Sequence, residues 1–215
     1  DLGASTVSGT YVVTATSGNI TNSGDLIITG AATFITTAAG RDIILDQSGN
    51  VFTSTVTMQA GNGSNAAFDD ITFVDSAAVR LHSSAASAGD LYINASTDGA
   101  VGGDLSITAT TGNITQGVAV AVTGTTTLKA TTSNDITLDN TSNNFQGAVK
   151  ITSGNDVTLV DAGDIDLGVS AVSGIYAVTA TSGDITDSGN LTITGAATFI
   201  TTAAGRNIIL DQSGN

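Results

Sequence analysis

The chain has 215 residues and a net charge of −14, from 19 acidic and five basic side chains, with no Pro, Cys or Trp. Every acid is Asp, and the five scattered cations (Arg41, Arg80, Lys129, Lys150, Arg206) cannot form the basic clusters that nucleic acid or an anionic membrane surface would need. The composition also argues against disulfides, thiolate metal sites and a helical domain, and no apolar stretch approaches the roughly 20 residues of a membrane-spanning helix.

Residues 1–50 return almost unchanged as residues 166–215, with differences at only nine paired positions. Such self-similarity is the mark of a tandem array in which each unit buries its apolar face against its neighbours. The expected organisation is one continuous segment over 1–215, with 1–165 as a full repeat unit and 166–215 as the start of the next. Thr14–Thr21 reappears as Thr108–Thr115 and again as Thr179–Thr186, dividing the unit into sub-halves of 94 and 71 residues.

Along the chain, an Asn or Asp followed by a large aliphatic marks the start of each predicted strand. The aliphatics are Ile20, Ile43, Ile71, Leu91, Ile114, Ile136, Val157 and Ile185, at steps of 20 to 28 residues. Steps of this size suit the coils of a β-solenoid, so these eight residues are expected to stack as one core ladder, seven turns per 165-residue unit, the 28-residue steps carrying an extra loop. Alternation supports strands: Ile71 and Phe73, Leu91 and Ile93, Leu105 and Ile107, Ile136 and Leu138, Val157 and Leu159, and Leu191 and Ile193 each put two apolar side chains on one face. Gly, Asn, Asp and Ser between them supply corners. The predicted fold class is all-β, a parallel β-helix or β-solenoid with about 20–28 residues per turn.

Differences between the two copies sort the faces. Val12/Ala177, Ile27/Thr192 and Thr10/Ile175 are expected outward, and the unchanged Val13, Ile20, Leu26 and Ile28 inward. Four further differences exchange Asn for Asp (19/184, 22/187, 25/190, 42/207), which a corner side chain acting through its oxygen tolerates and a metal-binding or catalytic carboxylate does not.

Repeats such as Gly89-Asp90-Leu91-Tyr92-Ile93 and Asn134-Asp135-Ile136-Thr137-Leu138 resemble the filamentous-haemagglutinin type of bacterial exoprotein along the whole chain. The resemblance implies a right-handed parallel β-helix, exported and displayed on the bacterial surface or released as a fibre, and the long unit is similar to the repetitive stalk of a giant adhesin. The function expected on that basis is structural: a rigid extracellular spacer whose partners are neighbouring repeats end to end, with lateral self-association or host and matrix glycans as further partners.

Asp69, Asp70 and Asp75, and Asp161, Asp164 and Asp166, are acidic clusters that Ca²⁺ would suit, but Gly102-Gly103-Asp104 is only a fragment of a calcium-binding β-roll repeat, and a solvated acidic face explains them as well. His82, the one histidine, completes neither a zinc site nor a nucleophile constellation, and Gly61-Asn62-Gly63-Ser64 lacks the Gly-Lys-Ser/Thr of a phosphate loop. No catalytic residue and no required cofactor are assigned. A ligand-binding adhesive module, with Tyr92 or the acidic loops as contacts, is the alternative, and a polysaccharide-active β-helix enzyme a remote one.

Overall fold

A computed structural model describes residues 1–61, 69–82, 90–93 and 100–215. The described residues form 26 short strands and no helix. Every pairing between the described strands is parallel, and all but that of Val79–His82 with Asp90–Ile93 join strands about one coil apart in sequence, so the chain winds as a β-solenoid.

Two long sheets face each other along the axis. The first has ten strands: Tyr11–Ala15, Ala32–Thr36, Val56–Gln59, Asp90–Ile93, Val79–His82, Ile114–Gln116, Ile136–Leu138, Val157–Asp161, Tyr176–Ala180 and Ala197–Thr201. The second runs from Ile20–Thr21 through Ile43–Leu45, Ile71–Asp75, Leu105–Ala109, Thr126–Lys129, Val149–Gly154, Ile165–Val172 and Ile185–Asp187 to Ile208–Ile209. Two three-stranded sheets close the cross-section, one over Ser5–Val7, Leu26–Ile28 and Val51–Phe52, the other over Ala100–Val101, Ala121–Val122 and Asn144–Phe145.

Strands form where β-branched and aliphatic residues alternate with Thr or Ser, and the alternation sets the interior. Leu105, Ile107, Ile136, Leu138, Val157 and Leu159 are buried, while Ser106, Thr137 and Thr158 between them are half-exposed. The inward aliphatics make one continuous core cluster from Ile20 to Leu191. The few aromatics are concentrated in it: Tyr11, Phe34, Phe52 and Phe73 stack along the axis with successive ring centroids 5.9, 6.2 and 5.2 Å apart, and Tyr176 and Phe199 repeat the first contact at 5.9 Å. The expected faces are the observed ones. Val12, Ile27 and Ile175 are exposed, whereas Ile20, Leu26 and Ile28 are buried and Val13 packs against the core.

The single ladder of eight aliphatics is corrected by the pairing. Ile20, Ile43 and Ile71 stack in the second long sheet, and Ile185 lies in that sheet too, but the partner of Ile71 on the next coil is Leu105. Leu91 pairs with Val56 and Leu81 in the first long sheet, where Ile114, Ile136 and Val157 stack on one another. The cause is a slip of phase. After Ile71–Asp75 the chain lays two strands in succession, Val79–His82 and Asp90–Ile93, onto the first sheet, in inverted spatial order. From there the Asx-aliphatic corner feeds the opposite face. The second 28-residue step, Val157 to Ile185, is accordingly not a coil with an extra loop: Val157 pairs with Tyr176, and Ile185 pairs with Ile165.

Candidate functional site

The most organised polar feature of the molecule is a set of Asn and Asp columns at its corners. In the first column Asp42 N–H donates to Asn19 Oδ1 (3.3 Å), Asp70 N–H to Asp42 Oδ1 (3.1 Å), Asp104 N–H to Asp70 Oδ1 (2.7 Å) and Thr125 N–H to Asp104 Oδ1 (2.7 Å). A second column runs through Asn113, Asp135 and Asp156 to the Ile175 N–H, and a third through Asp164, Asp184 and Asn207. The rule is the same in each: a side-chain oxygen on one coil accepts the backbone N–H of the matching corner one coil on. These bonds measure the coil directly, spanning 19 to 34 residues, the 34-residue coil being the one that holds both successive first-sheet strands. The Asx of the sequence motif is therefore the corner acceptor. Asn and Asp interchange there because either offers an oxygen.

A fourth set lines another corner, with Asn22, Asn50, Asn143 and Asp187 buried. Asn50 Oδ1 accepts from Asn22 Nδ2 (2.9 Å) and from the Leu26 N–H (2.9 Å). Asn143 Oδ1 accepts from Gln116 Nε2 (2.7 Å) and the Val120 N–H (2.8 Å), while its Nδ2 donates to Gln116 Oε1, Leu138 O and Val160 O. In the second copy Asn215 Nδ2 donates to Asp187 Oδ2 (2.6 Å) and its Oδ1 accepts the Leu191 N–H (2.8 Å). The Asn22/Asp187 exchange thus reverses the direction of the hydrogen bond, and Asn50 Nδ2 is left without a partner. Asn50 and Asn143 were not singled out from the sequence. The available signal is the recurrence of Leu45-Asp46…Asn50, Leu138-Asp139…Asn143 and Leu210-Asp211…Asn215.

The acidic clusters do not converge on a common centre. Asp69 is buried and caps the Gly40 and Arg41 N–H groups (2.5 and 3.1 Å). Asp70 belongs to the first corner column, Asp164 to the third, and Asp166 lies in the second long sheet, with its Oδ1 unpartnered. Asp75 and Asp161 are buried and accept the N–H of Phe52 (3.2 Å) and Phe145 (2.7 Å). Among the described residues no three acidic, His or Cys side chains gather as metal ligands. Burial pushes the carboxyls of Asp70, Asp75 and Asp161 above the ordinary range, against the opposing pull of the N–H groups they accept, and for Asp70 the neighbouring Asp42, Asp104 and Asp69 add to the rise. The backbones of His82 and Tyr92 lie in the first long sheet, while their side chains and residues 62–64 of the Gly-rich segment lie outside the described residues.

A shallow groove of about 140 Å³ lies beside a bulged stretch of Val149–Gly154, lined by Thr132, Ser153, Ala171, Val172, Ser173, Thr192 and Thr194. Ser173 Oγ donates to the Thr132 and Gly154 carbonyls (2.9 and 3.0 Å), which commits its proton to the fold. The groove has no charged side chain and no acid-base pair.

A family of repeats of unknown function, DUF5649, matches residues 1–59, 69–152 and 154–215. The chain belongs to this repeat family. Each DUF5649 match contains one of these corner pairs, Asn22 with Asn50, Gln116 with Asn143, and Asp187 with Asn215, so the family's unit and the polar bracket recur together. No curated protein and no solved structure matches the chain.

Proposed function

We propose that this DUF5649 segment is a rigid structural repeat of a long extracellular bacterial fibre or adhesin stalk, a spacer at the cell surface or in a matrix, with no catalytic chemistry and no required cofactor. Its partners are the neighbouring repeats, end to end. The observation that carries the reading is the seam between copies. Val157–Asp161 of the first unit pairs over five positions with Tyr176–Ala180 of the second, and Val149–Gly154 pairs with Ile165–Val172, so both long sheets cross the boundary without a linker. Hydrogen-bonded sheets running along an axis resist bending, which a string of separately folded domains would not. The resemblance to filamentous-haemagglutinin exoproteins supports the extracellular, bacterial part of the reading.

Imaging of chains carrying two and four 165-residue units tests the mechanical part. Seven coil steps separate Ile20–Thr21 from Ile185–Asp187 in the second sheet. At about 4.8 Å per step each unit adds roughly 34 Å to a straight rod. Beads joined by hinges, or a much longer increment, would overturn it. Labelling of intact against permeabilised cells tests the location: signal only after permeabilisation rules out surface display.

A further inference from the structure

The net charge of −14 is not spread evenly over the faces. Many of the carboxylates sit at corners, where the columns hold them. The outward side of the first long sheet, over the five consecutive strands from Ile114–Gln116 to Ala197–Thr201, is different. One outward column reads Thr115, Thr137, Thr158, Ala177, Thr198, and the next Val160, Thr179, Ile200. Each is half-exposed or exposed, and none is charged. The opposite sheet carries Lys129, Lys150 and Asp166 among its strands, and on the first sheet the uncharged run is bounded by Arg80, whose backbone pairs with Thr115, and by the exposed Asp139 after Leu138.

We infer that this uncharged threonine face is a lateral self-association surface, covered in the fibre by the same face of a second copy. The inference rests on the rod reading above. Three features argue for a second copy. The rest of the molecule repels a like-charged neighbour, so close approach is cheapest where neither partner brings charge. The face returns in register with the repeat: Thr33, Ile35 and Thr14 of the first copy occupy the places of Thr198, Ile200 and Thr179 in the second. A second chain of the same repeat has a matching coil spacing along its whole length, so the contact multiplies with the number of units. Size points the same way. Four coil steps of about 4.8 Å and a strand width of about 13 Å give a patch of roughly 250 Å², well below the ~800 Å² per partner of a stable dimer. A few units in series pass that threshold, so association is weak for one unit and strong for an array.

The test is sedimentation velocity over a concentration series on residues 1–215 and on chains of two and four units, with rod length imaged on the same samples. The expected result is self-association that tightens at least tenfold with each doubling of units and strengthens as salt screens the corner charges. Thr137→Lys with Thr158→Lys in every unit weakens it at least tenfold, Thr158→Val tightens it, and Thr127→Lys on the opposite sheet leaves it unchanged. Monomers at every concentration in the four-unit chain, or equal effects of Thr127→Lys and Thr158→Lys, would overturn the inference. Straight rods that stay monomeric sink it alone, whereas hinged beads sink the rod reading. A free glycan that binds the face of a four-unit monomer would assign the face to a different occupant.

Discussion

Asn143 shows what a single corner residue contributes. It is fully buried, and its amide takes part in five hydrogen bonds that bracket three coils, reaching Gln116 and Val120 on the coil before, Leu138 in its own coil and Val160 on the coil after. Replacing it with Ala would leave the Val120 N–H and two carbonyls buried without partners. At about 1–3 kcal/mol for each uncompensated polar group, softened by local relaxation, Asn143→Ala is expected to cost roughly 3 kcal/mol. Denaturant unfolding checks this: a loss within experimental error of an exposed corner substitution such as Asn19→Ala would refute the bracket. The importance of this residue was hidden in the sequence, because an Asn in a Ser- and Asn-rich loop reads as an ordinary turn former. By contrast the interchange of Asn19 with Asp184 and of Asp42 with Asn207 was legible. It showed that the corner needs an oxygen rather than a charge, and the columns use the oxygen.

At the level of strands, alternation fixed which side chains enter the core, and residues such as Ile136, Leu138, Val157 and Leu159 are buried as their spacing implies. What spacing did not contain is the face to which a strand belongs. The two long sheets draw on the same corner chemistry, so a motif that moves from one sheet to the other keeps a step of 20 to 28 residues while the phase slips between Ile71 and Ile114. Glycine places a further constraint on strand entry. Gly103, Gly124 and Gly147 precede Leu105–Ala109, Thr126–Lys129 and Val149–Gly154, and the Gly124 N–H donates to the Gly103 carbonyl at 3.0 Å. A Cβ on Gly147 would be driven into the Gly124 carbonyl, whereas one on Gly163 comes no nearer than 3.7 Å to Asp161 Oδ1. Gly147→Ala is therefore expected to cost about 1–3 kcal/mol, the range for overpacking against backbone. Gly163→Ala, with no such contact, serves as its control. Equal melting temperatures for the two variants would show that the coils separate more easily than the ladder implies.

The whole molecule carries its charge in a few directions that pH can probe. Asp70, Asp75 and Asp161 have carboxyls raised above the unfolded value of 3.8, in each case chiefly because burial disfavours the anion. A raised native carboxyl means that the folded chain takes up protons before the unfolded chain does. As pH falls through the raised values toward 3.8, stability therefore rises, the gain is complete below the unfolded value, and it is lost again as pH climbs back through the native values. The expected outcome is a melting temperature higher near pH 4.5 than at pH 7.5, at constant ionic strength. Asp75→Asn with Asp161→Asn keeps one oxygen at each site for the Phe52 and Phe145 N–H groups, gives up the one that accepts the Gly163 N–H, and removes two of the titrating sites. That variant should show a flatter pH profile than the parent. A parent that loses stability on acidification, or a double variant with an unchanged slope, would mean that the N–H groups at these corners outweigh burial and that the anions are the preferred native form.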